Sequence, residues 1–237
     1  MENIFHPMSI DFVDTDNQNL GHVVISPCNK GYGTTLGNAL RRVLLSSLPG
    51  AAIESMKITG VQHEFSAVDG VKEDAIEIIL NLKQVAIKLH GEGPVVLSLS
   101  KKGIGPVTAG DFEKNSDVEI MNPEMVLAHI TDEKKKFEME VIVGKGYGYV
   151  PVAEKDTKNL DLGTIAIDSI YTPIRDVGYE VENTRVGDVT DFEKLTLRVE
   201  TNGTIDPKEA VKHASKILVD HFTAVIEAAG DNSETEA

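Results

Sequence analysis

The residues best suited to holding a ligand are Gly31-Tyr32-Gly33, directly ahead of Thr34-Thr35 and a helical pattern. Glycines before a helix N-terminus leave backbone N–H groups free to cradle a phosphate. A P-loop also needs a lysine and then Ser or Thr after its last glycine, whereas Gly37 is followed by Asn38-Ala39. The same glycines serve a tight turn that lets the helix approach another backbone. A second cluster, Gly144-Lys145-Gly146-Tyr147-Gly148, lacks dinucleotide spacing and reads as a bulged strand or turn. His6, His22, His63, His90, His129, His213 and His221 are scattered, none paired with Cys or His at metal-ligand spacing. Asp14-Thr15-Asp16 opens like a calcium loop, but Asn19 and Ile25 stand where the turn glycine and the bidentate Glu belong. No serine sits in a nucleophile elbow. The expectation is therefore no catalytic residue, no cofactor and no metal.

Charge points the same way. The 237 residues carry 23 Lys plus Arg against 38 Asp plus Glu, a net charge of −15, which argues against broad attraction to a phosphate backbone. Cys28 is the single cysteine, so no internal disulfide forms and a reducing compartment fits. The start, Met1-Glu2-Asn3-Ile4, resembles no secretory leader, and no apolar run reaches the ~18 residues of a membrane span. A cytoplasmic protein that does not bind membranes is expected.

Surfaces carry more information than chemistry. A helix predicted from about Thr34 to Leu48, capped by Thr34 or Thr35 and stopped by Pro49-Gly50, has two faces. Leu36, Ala39, Leu40, Val43, Leu44 and Ser47 form the inward one. Asn38, Arg41, Arg42 and Leu45, at i, i+3, i+4 and i+7, form the other. Adjacent arginines beside an outward leucine, on so acidic a chain, suit a guanidinium-anchored protein contact. A second helix is expected from about Val71 to Leu82, with Glu73 and Glu77 on one strip. Glu77 lies too far along that helix to be offset by its dipole, so it reads as a solvated charge or as one that meets a basic partner, and Lys83 complements the far end. The loop around Glu154-Lys155-Asp156 reads as solvated.

The last helix is the plainest. Asp206-Pro207-Lys208-Glu209 gives a cap, a first-turn proline and a capping-box Glu. Val211, Ala214, Leu218, Phe222, Val225 and Ala229 then follow at helical spacing, widened by Ala210, Ile217 and Ile226. So broad a stripe needs two partners to cover it. Elsewhere the pattern is strands: a hairpin around Asp14–Asn19, alternation at Val85, Ile87, Leu89 and at Phe137, Met139, Val141, Val143, and another run at Leu195, Leu197, Val199. One further short helix is expected after Asn122-Pro123, with proline in its first turn.

The run Gly31–Gly50 resembles the first helix of bacterial RNA polymerase α subunits. Gly60-Val61-Gln62-His63-Glu64-Phe65, Glu77–Lys83, Gly103–Ala109, Gly148-Tyr149-Val150-Pro151 and Glu200–Pro207 follow in that family's order. The likeness spans about residues 8–229. It implies an α+β fold in which a discontinuous dimerisation domain, 1–50 and 171–230, has an antiparallel sheet and two helices, the longer one C-terminal. A mostly β domain, 51–170, is inserted in it, and 231–237 is a flexible acidic tail. It implies a non-catalytic subunit of a nucleotidyltransferase that forms a homodimer and scaffolds the β and β′ subunits for transcription. Tyr32, Leu36, Leu40, Leu218, Phe222 and Val225 would face the second copy. Arg41, Arg42, Leu45 and Glu77 would contact β, and Lys83, Ile167 and Asp168 would contact β′. The family's DNA-binding domain is not matched in this sequence, so direct DNA contact is not expected of it. Two other readings stay open here: a nucleotide-binding enzyme using Gly31–Gly37, and a dimeric interaction module unrelated to transcription.

Overall fold

The structure, a computed structural model, describes residues 9–156, 160–187 and 189–230. The expected tail, 231–237, lies outside the described residues. The chain divides into two compact units: Met1–Leu48 with Ile174–Ala237, and Pro49–Pro173. In chain order, the first unit opens with β1 (Ser9–Asp14), β2 (Leu20–Cys28) and α1 (Tyr32–Ser46). The second unit follows with β3 (Pro49–Ile58), α2 (Ala75–Leu82), β4 (Ile87–Leu89), β5 (Val95–Lys102), β6 (Gly105–Thr108) and β7 (Val118–Ile120). It continues through β8 (Val126–Ile130), β9 (Lys136–Tyr147), β10 (Tyr149–Val150), β11 (Thr164–Ala166) and β12 (Ser169–Ile170). The chain then returns to the first unit as β13 (Ile174–Val186), β14 (Val189–Thr201) and α3 (Pro207–Gly230). Antiparallel sheets, a long C-terminal helix and a mostly β insert make this an α+β fold.

In the first unit the sheet runs β1-β2-β14-β13, antiparallel throughout. Alternation along β14 sets its faces. Leu195, Leu197 and Val199 are fully buried, while Arg198 points away and pairs with Asp176. On the apolar face, α1 contributes Leu40 and Leu44, and α3 contributes Ala210, Val211 and Ala214. Glycine sets how close α1 lies. A Cβ on Gly37 would stand 2.7 Å from Tyr179 Cδ2 and 3.0 Å from Leu195 Cδ1, and one on Gly33 would stand 2.9 Å from Val181 Cγ1. No larger residue fits without lifting the helix off β13 and β14.

In the second unit the main sheet runs β5-β9-β3-β4-β7, with β11 added on β3. Met56, Leu97, Leu99, Met139, Val141 and Val143 share one core with Ala75, Ile78 and Leu82 of α2. Asp74 caps α2 by a complete capping box: Glu77 N donates to Asp74 Oδ1 at 2.8 Å, and Asp74 N donates to Glu77 Oε2 at 3.3 Å. The helix thus starts at Ala75, four residues later than the pattern suggested, and Glu77 sits in its first turn. The helix expected after Asn122-Pro123 is instead a turn, closed by Met125 N donating to Asn122 O at 3.0 Å, and β8 follows it. Tertiary bonds outweigh the first-turn proline signal there. Asn122 Oδ1 accepts from Ala86 N at 2.8 Å, and Pro123 O and Met125 O accept from Gly110 N and Ala109 N.

Gly37→Ala separates propensity from packing. Helix propensity alone would favour alanine by about 1 kcal/mol. Overpacking against Tyr179 and Leu195 should cost roughly 1–3 kcal/mol. Packing should win, so urea denaturation should show a net loss of stability.

Candidate subunit-docking site

The entry to α1 is an anion site already filled by the chain itself. Gly31, at φ 86°, turns the backbone so that its N–H donates to Glu193 Oε1 at 2.8 Å, while Gly33 N–H donates to Glu193 Oε2 at 3.0 Å. Neither Thr34 nor Thr35 caps the helix as expected; the β14 carboxylate replaces them. Occupied this way, the glycine turn leaves a phosphate no pair of amides to meet. Together with burial, Glu193 also pushes the nearby Cys28 thiol up from its ordinary pKa.

Beyond that cap, α1 has an inner and an outer face. Gly33, Gly37, Leu40 and Leu44 are buried, whereas Asn38, Arg41, Arg42 and Leu45 are exposed. Arg41 Nε donates to Val177 O at 3.1 Å, which fixes the guanidinium while using one of its five donors. Leu45, 36% exposed, stands on the same face. Tyr32 is exposed and Leu36 half-buried. Leu40 is a correction: at 6% exposure it belongs to the first unit's own core and offers no side chain to a second copy.

Helix α3 changes character along its length. Pro207, Ala210, Val211 and Ala214 are buried, and Leu218 is half-buried against the core. Beyond it every described residue is exposed, including Val219, Phe222 at 61%, Val225 at 65% and Ile226. Covering a side chain of this kind stabilises by about 1.5–3 kcal/mol. The far half of α3 therefore carries an apolar stripe that no other described residue covers.

In the second unit Lys83 and Asp168 meet. Lys83 Nζ donates to Asp168 Oδ2 at 2.8 Å, and Val152 N donates to Oδ1 at 2.8 Å. The Lys83 bond, then the Val152 N–H, holds the Asp168 carboxyl below its ordinary pKa. Ile167 is the second correction. It is 1% exposed within the core, so of the three residues expected to contact β′ only Lys83 and Asp168 offer side chains. Glu77 is exposed, but its carboxylate is engaged in the cap of α2 rather than free.

Sequence reasoning missed two devices here. Lys155, expected in a solvated loop, turns its Nζ inward onto the Ile167 carbonyl and the Ser169 hydroxyl, which flank Asp168. The glycines at 144 and 146 serve less as a bulge than as room. A Cβ on Gly144 would overlap Glu54 Oε1 at 2.0 Å, and one on Gly146 would meet the Tyr171 ring at 2.7 Å. Tyr171 donates its hydroxyl to Glu54 Oε1 at 2.6 Å, and burial with this acceptor pushes its pKa up to about 12. Paired glycines two apart, facing an aromatic downstream, are a signal that spacing alone does not decode.

Residues 56–172 match the model of the RNA polymerase Rpb3/RpoA insert domain, a span that falls within the second unit. Over 214 residues the chain is 51% identical to the DNA-directed RNA polymerase subunit alpha of Clostridium kluyveri, covering 90% of this chain and 68% of that one. The chain belongs to the DNA-directed RNA polymerase α-subunit family. Similar subunits occur in Alkaliphilus metalliredigens (48% identical over 225 residues, covering 95% of this chain and 71% of that one) and Clostridium botulinum (50% over 209, covering 88% and 66%). Membership in this family places the chain in transcription. Among the described residues no helix is long and apolar enough to cross a membrane.

Of the three depressed carboxyls in the second unit, Glu73, Asp111 and Asp168, the two aspartates define its acid limb. Burial would raise Asp111, but hydrogen bonds from Lys101 and Thr108 outweigh it and lower the pKa; Asp168 is lowered chiefly by Lys83. Their stabilisation is fully present above the unfolded carboxylate value of about 3.9 and is lost as pH falls through the lower folded values. Denaturant melts from pH 6 downward should steepen below about pH 4, and Asp111→Asn with Asp168→Asn should flatten that slope.

Proposed function

We propose that this chain is a non-catalytic, cytoplasmic scaffold of RNA polymerase that pairs with a second copy of itself and holds the β and β′ subunits. The observation that carries this reading is the bare apolar end of α3. Four large side chains, Val219, Phe222, Val225 and Ile226, stand open to water on one helix of a strongly acidic chain. A monomer would leave that stripe uncovered. An isologous dimer covers it with the same stripe from the partner, and a two-fold axis then presents each remaining surface twice. In this reading Tyr32 and Leu36 extend the self-contact from α1, with Leu218, Phe222 and Val225 from α3.

On the opposite face of α1, Arg41, Arg42 and Leu45 form the β contact. Arg41 is pre-organised by its bond to Val177 O, so fewer rotamers are lost on docking. Lys83 and Asp168 form the β′ contact. The reading as a nucleotide-binding enzyme gains no support, because Glu193 already takes the amides that a phosphate would need.

Arg42→Ala should leave the dimer intact by size-exclusion chromatography while weakening β capture in pull-downs by about 2 kcal/mol or more, roughly thirtyfold. Wild-type capture would remove the arginine face from the account. Leu218→Asp should give monomers, and Phe222→Asp should do so without touching the protomer's own core. A surviving dimer in both would refute the role given to α3.

A further inference from the structure

Lys155 takes no part in the contacts proposed above, yet its amine is tied more fully than any surface lysine requires. Its Nζ donates to Ile167 O, to Ser169 Oγ at 2.6 Å and to Glu54 O at 3.2 Å. Three acceptors match the three donors of an ammonium group, and all three are uncharged oxygens. Two belong to the residues immediately before and after Asp168; the third is on β3. Ser169 can accept because its own hydroxyl donates to Ile53 O at 3.0 Å, which also anchors it to β3. At the start of the same short turn, Val152 N–H holds Asp168 Oδ1 at 2.8 Å. The turn from Val152 to Lys155 thus grips Asp168 twice, by its carboxylate and by both flanking residues.

This grip leaves one carboxylate oxygen, Oδ2, for Lys83. Asp168 itself is partly exposed, and so is Lys83. A pair of this kind on an unsupported loop would sample many geometries and lose entropy on docking. Burial, the larger cause, and the charge of Lys83 lower the Lys155 pKa, while Glu54 and Asp168 oppose them, consistent with an amine drawn into the protein.

We propose that Lys155 is a positioning residue for the Lys83–Asp168 pair, clamping the Ile167 carbonyl and the Ser169 hydroxyl on either side of Asp168 so that the pair meets β′ in one fixed geometry. The proposal rests on reading Lys83 and Asp168 as the β′ contact. Lys155 itself does not touch the partner.

The test uses the full chain with β and β′. Lys155→Met keeps the length and removes the donors; Lys155→Arg keeps donors. Lys155→Met should dimerise and capture β normally, but β′ recruitment to the β-bearing dimer should weaken about tenfold, with most of it restored by Lys155→Arg. Combining Lys155→Met with Asp168→Asn should cost little more than Asp168→Asn alone, because both act through one carboxylate. In the free protein, hydrogen exchange at the Val152 amide should accelerate in Lys155→Met and not in Lys155→Arg.

Normal β′ recruitment by Lys155→Met, alongside loss in Asp168→Asn, would overturn the positioning role and leave the docking reading standing. Normal recruitment by both Lys83→Met and Asp168→Asn would remove the docking reading, and this inference with it. Loss of β capture together with β′ would show a general structural defect and overturn the proposal equally.

Discussion

Helix α1 rides on β13 and β14 at a distance that only glycine permits, and much else in the first unit follows from that. Gly33 and Gly37 put backbone where any other residue would put a Cβ into Val181, Tyr179 or Leu195. Once the helix is seated so closely, its rotation is fixed. Leu40 and Leu44 enter the core and Arg41, Arg42 and Leu45 are turned out. Glu193 pins the same helix at its first turn by taking two backbone N–H groups, and Arg41 pins it near its middle through Val177 O. These bonds run from α1 to the two strands it covers, so helix and sheet move as one body. A docking face built on such a body arrives pre-organised, which lowers the entropy lost on binding.

The second unit uses related means for a different surface. Small residues at 50, 144 and 146 admit a part-buried Tyr171–Glu54 hydrogen bond, and a lysine drawn inward ties the link between β11 and β12 that carries Asp168. In both units an inward-turned polar group does the fixing and an outward charged group is left to act. The polar group is satisfied in each case, which is why the arrangement is stable rather than costly.

Much of the fold was legible from periodicity. The alternation at Leu195, Leu197 and Val199 and the first half of the α3 stripe, Ala210, Val211 and Ala214, reported the core directly, and Asp206 caps that helix through Lys208 N at 2.8 Å. The Asn122-Pro123 turn was misread because a first-turn proline is a local signal, overridden here by bonds from Ala86, Ala109 and Gly110. Glu77 was misread because the start of α2 was placed four residues too early, which hid its capping box. Among site residues, exposure of the arginine face followed from i, i+3, i+4 spacing. Helical spacing put Leu40 on the inward face of α1, and it was the resemblance that assigned Leu40 and Ile167 to interfaces, since a resemblance carries position but not burial. Glu193 and Lys155 act over long sequence separations, and no window of local sequence contains both partners.

The most direct test compares hydrogen exchange along α1 and α3 in the free chain and in its complex with β. The account predicts that the far half of α3, from Val219 onward, is already protected in the free chain at micromolar concentration, and that β adds protection along α1 around Asn38–Leu45. Free exchange beyond Val219 in both states, with α1 unchanged on addition of β, would contradict it.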